Sequence, residues 1–289
     1  MLMLADNVQT LRQLATLRLS AASALVCQGQ NVWVLADDAL VLQRYNLSGD
    51  WQAERVLLPG ELPTDAKQRK RHKPDFEALV SLPKDHLLAL GSGSTERRCR
   101  GCLVEESSVH IIDLAPLYQT LAGYFQDLNI EGGVVCREHL VLAQRGNGRG
   151  RENALVLLDL PQVLRDLQDG QLSAAALQRV VPVLLPALQG VPLSLTDLSV
   201  SPSGALYFTA TAEATESSYL DGTCLGSVLG RFDEQLSVIE LNRLAPVVKI
   251  EGLAFQNDGR LLLVADADDP AIASPLYALD LISDCASRD

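Results

Sequence analysis

No stretch of this sequence reaches the roughly 18 apolar residues needed to cross a bilayer, so no membrane partner is expected. Met1 to Leu14 lack the basic start and unbroken apolar run of a secretory leader, and a cytoplasmic location is the expectation. Positive charge is scarce. Against 36 Asp and Glu stand 24 Lys and Arg, for a net charge of −12, which excludes non-specific nucleic-acid binding. The six cysteines, Cys27, Cys99, Cys102, Cys136, Cys224 and Cys285, form no disulfide framework in a chain of 289 residues. Cys99 and Cys102 make a CxxC, but the second pair that a structural zinc site needs is missing. Free thiols in a reducing compartment are expected. There is no GxSxG elbow, no P-loop and no identifiable Ser/His/Asp nucleophile pattern.

What is present is a repeat. The chain is 47% hydrophobic and 21% charged, so it can build a core. Its apolar residues come in short Val- and Leu-rich runs between Gly, Pro, Asp and Ser, the pattern of strands and turns. Asp75-Phe76-Glu77-Ala78-Leu79-Val80 is followed by His86 to Leu90, Asn129-Ile130-Glu131-Gly132-Gly133-Val134 by His139 to Ala143, Leu195-Thr196-Asp197-Leu198-Ser199-Val200 by Ala205 to Thr209, and Lys249-Ile250-Glu251-Gly252-Leu253-Ala254 by Arg260 to Val264. A weaker fifth copy runs from Ala22 to Leu35. Each copy reads as a hairpin, with turns such as Asn257-Asp258-Gly259 between its strands.

The aligned residues Ser23, Glu77, Glu131, Asp197 and Glu251 are spaced by 54, 54, 66 and 54 residues. Further strands fall within each period, at Leu40 to Leu47, Val109 to Leu114, Ala154 to Leu160, Leu236 to Leu241 and Leu276 to Leu281. A four-stranded blade fills such a period, which predicts an all-β, five-bladed β-propeller over residues 1–289 as a single domain. The last blade runs out of chain after its third strand, so Leu11 to Leu19 is expected to supply the fourth and close the ring. Pro161 to Gly170 and Ser173 to Val180 read as short helices inserted in the third blade.

In a propeller the innermost strands line the channel, so the aligned residues meet at one mouth. Ser23, Glu77, Glu131, Asp197 and Glu251 would then bring four carboxylates together. These cannot all stay ionised at close range without a cation or a protonation shift. An all-oxygen set suits calcium. The alternative is that the carboxylates bind neighbouring backbone amides and water. The loops after the second strands lie on the same face, as does the segment Lys67 to Lys73. They carry Lys73, Ser92, Ser94, Arg97, Arg98, Arg145, Asn147, Arg149 and Asp268, and Gly, Ser and Arg in this setting suit an anionic small molecule.

The ring Ser23, Glu77, Glu131, Asp197, Glu251 resembles the axial calcium site of the calcium-activated nucleotidases (apyrases), which are five-bladed propellers. The resemblance spans the chain at the level of blades and rests on five short motifs. The strings Lys73-Pro74-Asp75-Phe76-Glu77-Ala78-Leu79 and Leu88-Ala89-Leu90-Gly91-Ser92-Gly93-Ser94 are similar to a bacterial propeller family of unknown function. Phytase-like and esterase-like propellers carry similar Glu-Gly/Ala-Leu strand openings. These resemblances imply a calcium-bearing propeller.

Three functions are compatible with the sequence. One is a metal-dependent hydrolase of phosphate esters or anhydrides, with Arg97, Arg98, Arg145 and Arg149 neutralising developing charge and Glu131 or Asp268 as base. Another is a non-catalytic ligand- or protein-binding module whose calcium pins the blades. The third is an esterase or lactonase, which would need an apolar pocket that these polar loops do not suggest.

Overall fold

A strand sends successive side chains to opposite faces, and here both faces are buried. In the strand Leu87–Gly91, Leu88 and Leu90 pack toward one neighbouring sheet while Leu87 and Ala89 pack toward the other. The same pattern in every repeat gives five apolar clusters, one between each pair of adjacent sheets. The computed structural model describes residues 7–214 and 222–281. It is a five-bladed β-propeller of five small sheets in a ring.

The blades follow chain order. The inner strands are Ala22–Gln28, Phe76–Ser81, Ile130–Cys136, Val191–Val200 and Lys249–Phe255. Each inner strand touches the inner strands on both sides, so the ring is closed. The fifth blade has three strands from the C-terminal part, and Arg12–Thr16 pairs antiparallel with Pro275–Leu279 as its fourth. This is the closure expected from the sequence. A second N-terminal strand, Val8–Thr10, adds in parallel to the outer edge of the fourth blade. The N-terminal segment therefore ties two blades together.

Among the described residues three α-helices interrupt the pattern: α1 (Ala66–His72), α2 (Ala115–Leu121) and α3 (Leu160–Gln168). Both α2 and α3 insert apolar residues, among them Leu117, Leu121, Val163 and Leu167, into the cluster between the second and third blades. The expected helix at Pro161 to Gly170 corresponds to α3, capped by Asp159, whose carboxylate accepts from the Gln162 amide at 3.0 Å. The expected helix at Ser173 to Val180 is not one. Only Ala174–Ala176 turns, as 3₁₀, and Leu177–Pro182 is the outer strand of the third blade, paired with Ala154 to Leu158. The β-branched pair Val180-Val181 suits that strand better than a helix. Among the described residues no helix is long and apolar enough to cross a membrane.

Each inner strand carries a β-bulge near its start. The extra residues are Ser23, Glu77, Glu131, Thr196 and Glu251. The fourth equivalent is Thr196, not Asp197, so the sequence alignment was one residue out in this blade. A slip of one residue moves a side chain to the opposite face. The position after the bulge faces the next blade, and it holds Ala24, Ala78, Gly132, Asp197 and Gly252. Small residues there let inner strands approach closely. A Cβ on Gly132 would lie 2.6 Å from the Asp197 Cα, and one on Gly252 would lie 2.9 Å from the Ala24 Cα.

Asp197 thus belongs between blades. Its carboxylate accepts from the Leu253 amide at 3.0 Å and the Leu198 amide at 2.7 Å, and also from the amide of Gly133. Burial pushes its pKa up and these amides pull the other way. Asp197→Ala would leave buried amides of three inner strands unpaired, and each such loss costs about 1–3 kcal/mol. Chemical denaturation should show a loss of about that size or more.

Candidate functional site

Three positions of the repeat build the mouth. The bulge supplies Ser23, Glu77, Glu131, Thr196 and Glu251. Two residues earlier, on the same face of the inner strand, stand Ala21, Asp75, Asn129, Ser194 and Lys249. Opposite these come Asp37, Ser92, Arg145 and Asp266, at or just beyond the end of the second strand, and Thr211, which lies within the longer second strand of the fourth blade. Eleven of these fifteen residues, all but Ser92, Ser194, Thr196 and Thr211, line a cavity of about 220 Å³. Among the described residues ten carboxylates and six cationic side chains line it.

Two ion clusters divide the mouth. The first joins the third, fourth and fifth blades. Arg145, almost fully buried, donates to Glu131 at 3.1 Å, Glu213 at 2.8 Å, Glu251 at 3.4 Å and the Ser194 hydroxyl at 3.3 Å. Lys249 bonds Glu251 at 3.0 Å and Asp268 at 2.7 Å. The second joins the first and second blades. Lys73, the C-cap of α1, bonds Asp37 and reaches Asp75 at 3.0 Å. Arg98 reaches the same Asp75 at 2.7 Å, and Ser92 donates to it at 2.6 Å. Ser94 accepts from Arg98 at 2.8 Å. The Asp75 backbone is left-handed at φ 57°, held by its amide on the Asp37 carbonyl and by the Ser92 amide on its own carbonyl.

Glu77 stands between the clusters. Among the described residues it has no hydrogen-bond or ion-pair partner. Burial, followed by the charges of Glu131, Asp75 and Asp37, holds its pKa well above the usual carboxylate range. Donor oxygens of Asp37, Asp75 and Glu77 all lie within 4.8 Å of one another. These three carboxylates make the best cation cradle of the described residues. Three other carboxyls are pushed up chiefly by burial: Asp37 to about 6, Glu131 to about 7 and Asp266 to about 8. Glu251 differs. Burial alone would raise it, but Arg145 and Lys249 outweigh burial and lower it.

The expected ring is therefore assembled only in part. Glu77, Glu131 and Glu251 meet at the mouth. Ser23 lines it, but its hydroxyl donates to the Phe76 carbonyl at 2.7 Å. Asp197 points between blades. The Arg145 guanidinium bonds Glu131, Glu213 and Glu251 at once. Of the residues expected to meet an anion, Lys73, Arg98, Arg145 and Asp268 are committed to ion pairs, and Ser92 and Ser94 support them. Asn147 lines the cavity and accepts from Asn129 at 3.3 Å. Arg149 is exposed outside the cavity lining, its amide on Asp127 at 3.0 Å. Arg97 is exposed on a side groove. Of the loop expected at Thr209 to Ser218, residues 209–214 belong to the second strand of the fourth blade and residues 215–218 lie outside the described residues, as does Cys285. Sequence reasoning missed the roles of Asp37, Asp75, Glu213, Lys249 and Asp266. Asp75 and Lys249 carried a signal, the X-x-Glu spacing that puts them beside Glu77 and Glu251.

Two outcomes follow from this electrostatics. Arg145→Met leaves Glu131, Glu213 and Glu251 without their shared guanidinium, and breaking a buried pair costs about 3–5 kcal/mol. Denaturant unfolding should show it. In metal-free protein, Asp37, Glu131 and Asp266 hold protons in the folded state that the unfolded chain has released. Stability therefore falls as pH rises from above about 4 toward about 8. Thermal melting should give a Tm about 5 °C lower at the alkaline end of that window than at the acid end.

With 13% identity, 96% of this chain superposes on 99% of the glutaminyl cyclase of Myxococcus xanthus at a TM-score of 0.56. Regucalcin from Agrobacterium tumefaciens, described as a calcium-binding protein, superposes at 0.51 with 10% identity over 95% of each chain. These likenesses show the fold alone, and the resemblance to calcium-activated nucleotidases is not shown. No curated protein matches the sequence. A family model matches residues 18–281, and the chain belongs to that family, DUF6929, a family of unknown function.

Proposed function

We propose that the mouth is a divalent-cation site that recruits a small, oxygen-rich anionic ligand, and that hydrolysis of a phosphoric ester or anhydride is the reaction it best accommodates. The observation that carries this reading is Glu77, which among the described residues has no hydrogen-bond or ion-pair partner, beside Asp37 and Asp75. The cavity lining has more carboxylates than cations, so it favours a further positive charge. All the donors are oxygens, and several more carboxylates stand nearby, which suits calcium's flexible coordination of six to eight ligands. Asp37, Asp75 and Glu77 would hold the ion. It would supply Lewis acidity toward a ligand oxygen.

The chain's own groups do the rest. Lys73 donates to Asp37 and Asp75, so its ammonium keeps the cradle neutralised and competes with an incoming ion. Glu131, with a pKa of about 7, can take or give a proton near neutrality, which suits general acid–base chemistry. Its partners Asn129, at 2.6 Å, and Arg145 fix its carboxyl in place. One observation favours a second reading, a binding module without turnover: those same partners occupy both Glu131 oxygens.

Calorimetry with calcium tests the site. Asp37→Asn with Glu77→Gln should abolish binding. Lys73→Met should tighten it about tenfold, or about 1.4 kcal/mol, by removing the competitor. Unchanged affinity in the Asp37/Glu77 variant would remove the site. Phosphate release from nucleotides, sugar phosphates and inositol phosphates, with calcium and with chelator, separates hydrolase from binding module. Glu131→Gln should lower turnover by about 100-fold or more if Glu131 transfers the proton.

A further inference from the structure

Beside the mouth runs an open groove between α1 and the 3₁₀ turn Glu96–Arg98. Its charge is the opposite of the cavity's. Among the described residues Lys70, Arg71, Arg97 and Arg98 line it, and Glu96 is the one carboxylate. Arg98 is paired with Asp75, and Lys70 is engaged as well, so the imbalance rests on Arg71 and Arg97, two cations facing Glu96 in a chain with 36 acidic residues and a net charge of −12. The helix dipole explains part of it, since basic residues favour a helix C-terminus and α1 ends in Arg69, Lys70, Arg71 and His72. It does not explain Arg97, which belongs to the opposite wall. Like charges set across a groove repel, and an anion between them removes the repulsion.

The groove and the mouth are continuous. Lys70 and Arg98 line both. Arg98 bonds Asp75 of the cation cradle and its other terminal nitrogen reaches the Lys70 carbonyl at 3.4 Å, so the two walls are held in fixed relation. Arg71 and Arg97 are exposed and, among the described residues, neither has an ion-pair partner. They are the groove's available anion donors, and guanidinium groups suit a phosphate-type dianion.

We propose that this groove seats a second anionic group of the ligand, a phosphate-type dianion held by Arg71 and Arg97, while the ligand's first anionic group meets the cation at Asp37, Asp75 and Glu77. The ligand is thus a small molecule with two anionic groups. This assignment rests on the cation reading of the mouth for the first group only; the groove's affinity for a dianion does not require the metal.

Inorganic phosphate is the probe, titrated into the full chain and followed by phosphorus NMR or calorimetry, with calcium titrated separately. Arg71→Glu with Arg97→Glu should weaken phosphate binding by about tenfold or more, with calcium affinity unchanged. Arg71→Gln with Arg97→Gln should fall between the reversal and the native protein. Both pairs are exposed, and an unchanged melting curve shows that the fold is intact. Asp37→Asn with Glu77→Gln should lose calcium and keep phosphate, which separates failure of the mouth from failure of the groove. The proposal is overturned if native protein binds no phosphate, or if the reversal leaves phosphate affinity unchanged. It is equally overturned if phosphate binding disappears only with the mouth variant.

Discussion

The mouth of this propeller depends on one guanidinium. Arg145 is bonded to carboxylates from the third, fourth and fifth blades at distances of 3.4 Å or less. Moving a charged group from water into a protein interior costs several kcal/mol, and the cost is recovered only where geometry satisfies every partner. Three carboxylates at one point would repel and take up protons. Around Arg145, with Lys249 alongside, Glu251 remains a carboxylate. The apolar clusters between blades set the spacing, the bulges aim the acids inward, and the guanidinium makes the convergence tolerable.

The same logic divides the mouth unequally. Arg145 and Lys249 serve the side of the third to fifth blades. Lys73 and Arg98 serve the first and second, and Asp75 receives both of them. Glu77 lies between the two sets and is reached by neither. Burial and the neighbouring charges of Glu131, Asp75 and Asp37 raise its pKa, so a proton is bound more readily there than on an ordinary carboxylate. A divalent ion and a proton are alternative answers to one shortage. That is why the cation reading attaches to Glu77 and its neighbours and not to the geometric axis.

The repeat was legible because it is a backbone property. Blade number, the closing strand and the inner-strand hairpins follow from apolar period and turn residues, which short segments carry by themselves. The chemistry was less legible because it depends on which face a side chain takes and which charges meet. Glu77, Glu131 and Glu251 were found because each opens an inner strand. Arg145 was found as a mouth residue but given to a ligand, since nothing in Gln144-Arg145-Gly146 announces a buried partner for it. Ser173 to Val180 reads as helix from sequence because Ala174 to Ala176 are the best helix formers, yet its second half belongs to the outer strand Leu177–Pro182.

The fourth blade shows how a one-residue slip is compensated. Its bulge residue is Thr196, whose hydroxyl bonds Thr209 at 2.9 Å, so this blade gives no acid to the ring. The aspartate next to it turns sideways and binds the inner strands of the blades on either side. The fourth blade's acid comes instead from its second strand, Leu206–Ala214, where Glu213 sits four positions beyond Thr209, the partner of Asp197 in the ladder. Both strands of this hairpin are longer than their counterparts in the other blades. That added length lifts Glu213 to the level of Arg145. A carboxylate is thus kept within reach of the guanidinium although the position that supplies it in three other blades is a threonine, and the requirement met in the fourth blade is charge at the mouth, not identity at a repeat position.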